Sequence, residues 1–285
     1  MAFKFIDLFA GIGGFHLAMK ELGGECVFAS EWDKWARKTY LENHFSGSSD
    51  MFKGGMFKGD ITKVDPEIIP DFDVLCAGFP CQPFSNIGKG LGFEETRGTL
   101  FFNIAKIVDV KRPKALFLEN VRGLLKHNDG ETFETIRRVL EDDLGYTVHH
   151  KVVKASDHGL PQARARLFII ALRDGEEFSW PDPTPLQSTM SEILGGDCPR
   201  EVGFTLRVGG RGSGVHDRRN WDCYMLDGKE VALKPAHGLK MQGFPDWFKF
   251  SVSDTQAMKQ LGNSVAVDAI RAVGRELIVS IGEGE

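Results

Sequence analysis

The first segment limits the fold most. Phe3 to Phe9 is apolar and β-rich, and it runs into Ala10-Gly11-Ile12-Gly13-Gly14. Phe15 to Leu22 continues at helical spacing, with Gly23-Gly24 as a stop. Strand, glycine turn and helix form a unit that cradles nucleotides. The glycines let backbone approach a ligand, and the helix N-terminus adds partial positive charge. A tight packing turn would use the same residues. Gly11-x-Gly13-Gly14 does not match the dinucleotide fingerprint G-x-G-x-x-G, which disfavours hydride transfer.

Further strands along the chain end in residues able to do chemistry. Glu25 to Ala29 leads to Glu31-Trp32-Asp33, about twenty residues past the glycines, where an acid can grip ribose hydroxyls. Trp32 offers a face for an adenine ring. Glu31 or Asp33 also suits the cap of the next helix, Lys34 to Asn43. Asp60, in Gly59-Asp60-Ile61-Thr62, either accepts from an adenine amino group or caps a turn. The apolar run Phe72 to Ala77 reads as a buried strand and meets Gly78-Phe79-Pro80-Cys81-Gln82-Pro83-Phe84-Ser85. Pro80 fixes its own φ and keeps Phe79 extended, so Cys81 sits on a stiffened turn. Gln82 to Leu100, rich in glycine, reads as a functional lid. A buried structural thiol is the competing reading of Cys81.

Gly98 to Val110 is helical in spacing, and Ala115 to Leu118 is a strand ending in Glu119-Asn120-Val121. Glu119 then lies on the same sheet edge as Cys81, unless it is a solvated loop acid. Glu131 to Leu144 is expected to be a helix. Tyr146–Val153 and Arg166–Leu172 should form an antiparallel pair. Between them, alternation puts Gln162, Arg164 and Arg166 on one face, either for the site or as charge on an exposed edge strand.

The composition bounds the rest. The 285 residues are 42% hydrophobic and 26% charged, as in a soluble globular chain, and no apolar run reaches membrane-spanning length. The N-terminal residues lack a signal-peptide layout. Five scattered cysteines argue for a reducing compartment and against a disulfide framework or a zinc cluster, so no metal is expected. Pro181, Pro183 and Pro185 mark a linker, after which turns predominate. Within a chain of net charge −5, Arg200 to Arg219 holds five arginines against two acids. That concentration suits a phosphate-facing surface, with glycines between the arginines permitting close approach to a groove. A solvated loop is the alternative. A last helix, Val265 to Ile281, is patterned to pack back on the sheet.

Taken in order, Asp7-Leu8-Phe9-Ala10-Gly11-Ile12-Gly13-Gly14, Glu31-Trp32, Gly59-Asp60-Ile61, Gly78-Phe79-Pro80-Cys81-Gln82, Glu119-Asn120-Val121, Gln162-x-Arg164-x-Arg166, Gly243-Phe244-Pro245 and Gly262-Asn263-Ser264 resemble the DNA (cytosine-5) methyltransferases. The similarity is to the short bacterial restriction–modification type. It covers the chain except its variable middle. Similar enzymes usually have an Arg-Glu pair in the region that here reads Leu233-Lys234-Pro235-Ala236-His237-Gly238-Leu239-Lys240, a departure touching the packing of the small domain.

The resemblance implies a Rossmann-like S-adenosylmethionine-dependent methyltransferase fold with a mixed, mostly parallel sheet. Residues 1–180 would be catalytic, 181–255 a small irregular target-recognition domain, and 256–285 a helix returning to the catalytic domain. S-adenosyl-L-methionine would be lined by Phe9, Ala10, Gly11, Ile12, Gly13, Gly14, Glu31, Trp32, Asp60, Ile61, Leu100 and Asn263. Duplex DNA would lie in the cleft, contacted by Gln82, Ser85, Ile87, Thr205, Arg207, Arg211, Arg218 and Arg219. The Cys81 thiolate would attack carbon 6 of a flipped cytosine and Glu119 would serve ring nitrogen 3. Arg164 would hold the base's carbonyl oxygen and the surroundings of Glu119, with Arg166 in support. Asn120 and Pro80 would orient base and loop. The chain is expected to be a cytoplasmic monomer, associated with the nucleoid through DNA. A cognate restriction endonuclease would act separately. The rival readings are a tRNA cytosine-5 methyltransferase and a catalytically silent binder of S-adenosylmethionine and DNA.

Overall fold

A computed structural model describes residues 3–45, 54–80, 100–173, 175 and 177–282. Its centre is a seven-stranded sheet ordered β3-β2-β1-β4-β5-β7-β6. The strands are β1 (Lys4–Leu8), β2 (Glu25–Ser30), β3 (Phe57–Lys58), β4 (Val74–Gly78), β5 (Ala115–Val121), β6 (Tyr146–Lys154) and β7 (Ala165–Arg173). The first five run parallel, and β7 is antiparallel to both β5 and β6.

Both faces of the sheet are covered, which is why β4 and the first half of β5 read as continuous apolar runs, and β1 does so apart from Lys4 and Asp7. Side chains alternate between two cores with the period of two that a strand imposes. Phe5, Val74, Cys76, Phe117, Phe168 and Ile170 face one core. Ile6, Leu8, Leu75, Ala77, Leu116, Leu118 and Ile169 face the other. Helices α1 (Gly14–Glu21) and α8 (Val267–Gly282) cover the first face. Helices α3 (Leu100–Lys111) and α4 (Glu131–Arg138) cover the second. Of the residues expected to face inward from α8, Val267, Ile270, Val273 and Leu277 are fully buried, while Ile278 is only partly buried against the same core.

The expected turn-rich middle carries more regular structure than its sequence suggested. It contains α5 (Met190–Leu194), a hairpin β8 (Cys223–Leu226) and β9 (Lys229–Ala232), and α6 (Pro235–Gln242). Helix α7 (Asp254–Asn263) then precedes α8. Buried Met190, Leu206, Trp221, Tyr224, Met241 and Leu261 join the same core as Phe5 and α8. The middle therefore packs on the sheet-bearing part instead of enclosing a core of its own. Short stretches of four to eight residues with mixed polarity leave little periodicity to read.

The order of strands brings the site together. The sheet's winding reverses beside β1, whose neighbours are β2 and β4. Ligands of open α/β sheets bind at such a switch point, beyond the carboxyl ends of the strands. The glycine turn follows β1 and the Gly78-Phe79-Pro80 turn follows β4, so the two flank that crevice. Because β7 runs the other way, its first residues reach the same edge.

Candidate active site and cofactor crevice

The turn after β1 is unusual in its backbone. Phe9, a non-glycine, has φ 55°, Gly11 has φ 56° and Gly13 has φ 86°. A Cβ on Gly13 would lie 2.1 Å from Nε2 of His44, so only glycine fits there. A Cβ on Gly11 would point into open space, where backbone is bared toward the crevice. Glu31, just beyond β2, accepts from the Gly11 N–H at 2.8 Å and the Asp33 N–H at 2.7 Å. These amides fix the carboxylate, while burial raises its pKa against their pull. The cap of α2 (Lys34–His44) is Asp33, whose carboxylate accepts from the Trp35 and Ala36 amides. Trp32 is 82% exposed, an uncovered indole beside Glu31.

Asp60 caps the turn Ile61–Lys63, accepting from the Thr62 amide and hydroxyl, and Ile61 is buried. Ala10 and Ile12 are buried, Leu100 begins α3, and Asn263 is exposed at the end of α7. An acceptor beside an uncovered ring face and a bare glycine backbone fit a nucleoside cofactor. Asp7 was not among the expected site residues. It is fully buried under the turn, and neither oxygen has a hydrogen-bond partner of standard geometry. Burial raises its pKa well above the usual carboxylate range, and the nearby His16 backbone lowers it only in part. Its one sequence signal is an acid between Ile6 and Leu8 in a buried strand.

The second half of the site lies where β4, β5 and β7 meet. Gly78 pairs with Glu119 across the parallel ladder, and Val121 pairs with Arg166 across the antiparallel one. Arg166 is thus diagonal to Glu119, within reach of a long side chain. Its Nε lies 3.1 Å from Glu119 Oε1. Glu119 is buried within β5, so the solvated-acid reading does not hold. Burial raises its pKa, while Arg166 and Arg164 lower it in part. Oε1 makes no hydrogen bond, because the Arg166 contact lacks hydrogen-bond geometry.

Arg164 stands differently from its expected place. It precedes β7, is 3% exposed, and its Nη atoms donate to carbonyls of Leu206, Gly262 and Ser264, while its buried Nε has no hydrogen-bond partner among the described residues. Burial lowers its pKa to about 9. Arg166, and not Arg164, therefore makes the ion pair with Glu119. The exposed-edge reading fails too, since β7 is flanked on both sides and Gln162 is fully buried. Gln162 donates to the Met241 carbonyl at 3.0 Å and accepts from the Leu206 N–H at 3.0 Å. Thr205 donates to the Ala163 carbonyl. Segment 162–164 is thereby the seam that joins the middle of the chain to the sheet.

Asn120 donates to the Phe79 carbonyl at 2.9 Å, holding the turn that leads through exposed Pro80 to Cys81. Cys81, Gln82, Ser85, Ile87 and the expected lid before Leu100 lie outside the described residues. Of the arginines grouped as DNA-facing, Arg207 and Arg218 are exposed and have no ion-pair partner among the described residues. Arg219 is paired with Asp217 at 2.7 Å, and Arg211 with Asp222 at 3.0 Å. Among the described residues no group of three His, Cys, Asp or Glu is placed to hold a metal, and no helix is long and apolar enough to cross a membrane.

A nucleoside crevice at the switch point, beside a buried carboxyl–guanidinium pair, defines a Rossmann-like methyltransferase. Known proteins narrow the class. The model of the C-5 cytosine-specific DNA methylases matches residues 3–202 and 213–279, and the chain belongs to that family. It is 40% identical to the Type II methyltransferase M.HpaII of Haemophilus parainfluenzae, over 98% of this chain and 90% of that protein. It is 36% identical to the Type II methyltransferase M.HhaI of Haemophilus parahaemolyticus, over 95% of this chain and 92% of that protein. In fold it is similar to a Dnmt2 methyltransferase of S. pombe, with TM-score 0.73, 18% identity and coverage of 97% and 98% of the two chains. The chain is a DNA (cytosine-5) methyltransferase, and membership of the family implies S-adenosylmethionine as methyl donor.

Proposed function

We propose that the chain methylates carbon 5 of one cytosine within a specific duplex site, using S-adenosyl-L-methionine held in the β1–β2 crevice. The observation that carries the assignment of roles is Glu119 Oε1, buried beside Arg166 yet without a hydrogen bond. Such an atom is left for a ligand to satisfy. Ring nitrogen 3 of a flipped cytosine is a fitting partner, and a raised carboxyl pKa favours the protonated form that can donate to it.

Glu31 would take the ribose hydroxyls, Trp32 the adenine face, and the Gly11–Gly14 backbone the remainder of the cofactor. When bound, S-adenosylmethionine supplies an electrophilic methyl group. Carbon 5 of cytosine is too weak a nucleophile to take it unaided, so covalent activation is needed. The Cys81 thiolate adds to carbon 6, and the electron pair displaced from the 5,6 double bond builds up at carbon 5. Glu119 supports that build-up by donating a proton or hydrogen bond to nitrogen 3. Arg166 fixes Glu119 and presents its guanidinium beside the base. After the methyl group is in place, water removes the carbon 5 hydrogen and the thiol leaves, restoring the double bond. The target base must leave the stack, at a cost of a few kcal/mol. Asn120 acts by holding the Phe79 carbonyl, and so the turn carrying Cys81.

We also read the chain as a monomer, divided into catalytic 1–180, recognition 181–255 and closing 256–285 segments, with any cognate restriction endonuclease acting separately. Bisulfite sequencing of plasmid from an expressing cell tests the reading. Converted cytosines everywhere except at one sequence context support it, whereas conversion at every cytosine contradicts it.

A further inference from the structure

The recognition segment contains an arginine that reaches solvent yet has one edge of its guanidinium tied inward. Arg211 lies in Gly209-Gly210-Arg211-Gly212, where exposure of a guanidinium would suit a guanine. Instead its Nε donates to Asp222 Oδ2 at 3.0 Å and its Nη2 to the Leu233 carbonyl at 2.8 Å. The Asp222 side chain is only 3% exposed. The other Asp222 oxygen accepts from the Gly212 N–H at 3.4 Å. Neighbouring Trp221, 1% exposed, donates its indole N–H to the Gly209 carbonyl at 2.9 Å. The Leu233 N–H returns to the Asp222 carbonyl at 2.7 Å. Gly210 and Gly212, at φ 78° and 86°, allow the backbone to fold around this corner. The outcome is a loop held at three points from beneath, with the backbone of Gly209, Gly210 and Gly212 outward.

For Arg211 to turn its Nε–Nη2 edge to a base it would have to leave Asp222, a buried carboxylate then held, among the described residues, only by the Gly212 N–H. Stranding a buried carboxylate costs more than one base contact returns. We infer that Arg211 and Asp222 are positioning residues for target recognition: their ion pair pins the Gly209–Gly212 backbone in the shape that reads the DNA, while Arg207 and Arg218 supply the direct charge. The inference rests on the proposed reading of 181–255 as the recognition segment. Arg219, exposed, is forked onto Asp217 at 3.1 and 2.7 Å.

The test combines two readouts on Asp222→Asn, Arg211→Lys, their double variant, Arg207→Ala and Arg218→Ala. Bisulfite sequencing of plasmid gives the ratio of methylation inside the consensus to that outside it. Titration of a random-sequence duplex pool at several salt concentrations gives the salt slope. Asp222→Asn and Arg211→Lys should each lower the ratio by about tenfold or more, and the double variant no further than either. Their salt slopes should not be reduced. Arg207→Ala and Arg218→Ala should each flatten the slope by about one. Arg211→Lys keeps the charge and a smaller side chain, so it still decides if Asp222→Asn fails to fold, and S-adenosylmethionine affinity reports folding in each. An unchanged ratio in a folded Asp222→Asn or Arg211→Lys protein, or losses that multiply in the double variant, overturns the pin and leaves the DNA reading standing. A wild type with neither consensus nor salt slope overturns both.

Discussion

Asn120 Nδ2 donates to the Phe79 carbonyl at 2.9 Å, so the strand that carries Glu119 also holds the turn that leads to Cys81. The same side chain accepts from the Val121 N–H at 2.8 Å, which fixes its orientation. Asn120→Ala leaves a buried carbonyl unpaired, costing about 1–3 kcal/mol of stability. Turnover should fall by about tenfold to a hundredfold through loss of alignment. S-adenosylmethionine affinity should hold, because the crevice at β1 and β2 is untouched. Single-turnover methylation and calorimetric titration on the same preparation separate the two effects. Equal losses in both would place Asn120 in general stability alone.

Glu119 links activity to pH. Its folded pKa is raised by burial, so the folded state keeps a proton that the unfolded chain releases. Stability is therefore fully present below the unfolded value and is lost as pH rises toward the folded one. Glu119→Gln lacks that loss. Urea melts should show the difference between variant and wild type moving in the variant's favour as pH rises above about 4. Methylation by the variant should be severely slowed at every pH, since an amide cannot deliver a proton to nitrogen 3. Arg166→Gln, which removes an attraction for the ionised form, should move the alkaline limb of the rate profile to higher pH. A limb at the wild-type position would detach Arg166 from the carboxyl.

Glu31 is expected to carry the ribose. Glu31→Ala should weaken S-adenosylmethionine binding by about tenfold or more, as loss of hydrogen bonds to a charged acceptor does. Glu31→Asp should do less harm. Unchanged calorimetric affinity in Glu31→Ala would remove the ribose assignment.

Two histidines behind the glycine turn predict acid sensitivity. His16 and His44 have ring centroids 4.4 Å apart, His16 Nδ1 lies 2.7 Å from the Tyr40 hydroxyl, and His44 Nε2 meets the Ile12 carbonyl at 3.0 Å. Burial lowers the His16 pKa well below normal and that of His44 to about 4. Below about 6.5 the unfolded chain takes up protons that the folded state refuses, so stability falls with falling pH, at up to about 1.4 kcal/mol per pH unit for each ring. Melts between pH 7 and 4 should show this slope, and His16→Gln should flatten it. An unchanged slope in that variant would place the sensitivity elsewhere.

The parallel half of the sheet was legible because its central strands are apolar runs, interrupted by Asp7 in β1, that close on a glycine or an acid. The glycine turn, Glu31 and Glu119 could be put on one edge from that pattern alone. Arg166 could not be matched to Glu119, because the match depends on β7 running antiparallel beside β5, a relation between segments 45 residues apart or more. Arg164 looked equivalent to it in sequence. Its separate fate follows from the Gly262 and Ser264 carbonyls, supplied a hundred residues on. Asp222 was invisible for the same reason. A lone acid among arginines carries no sign that it is buried beneath them.

The order of bond making at Cys81 carries the whole mechanism, and 5-fluorocytosine interrogates it. Fluorine at carbon 5 cannot be removed as a proton, so the cycle should stop after methyl transfer with protein and DNA still joined. Duplex bearing 5-fluorocytosine at the site found by bisulfite sequencing is incubated with protein, with and without S-adenosylmethionine, and resolved under denaturing conditions. A denaturation-resistant complex is expected with the cofactor, absent without it, absent in Cys81→Ser, and slow to form in Glu119→Gln. An active wild-type protein that methylates carbon 5 and yet yields no such complex, or a Cys81→Ser protein that yields it, would contradict covalent activation by Cys81.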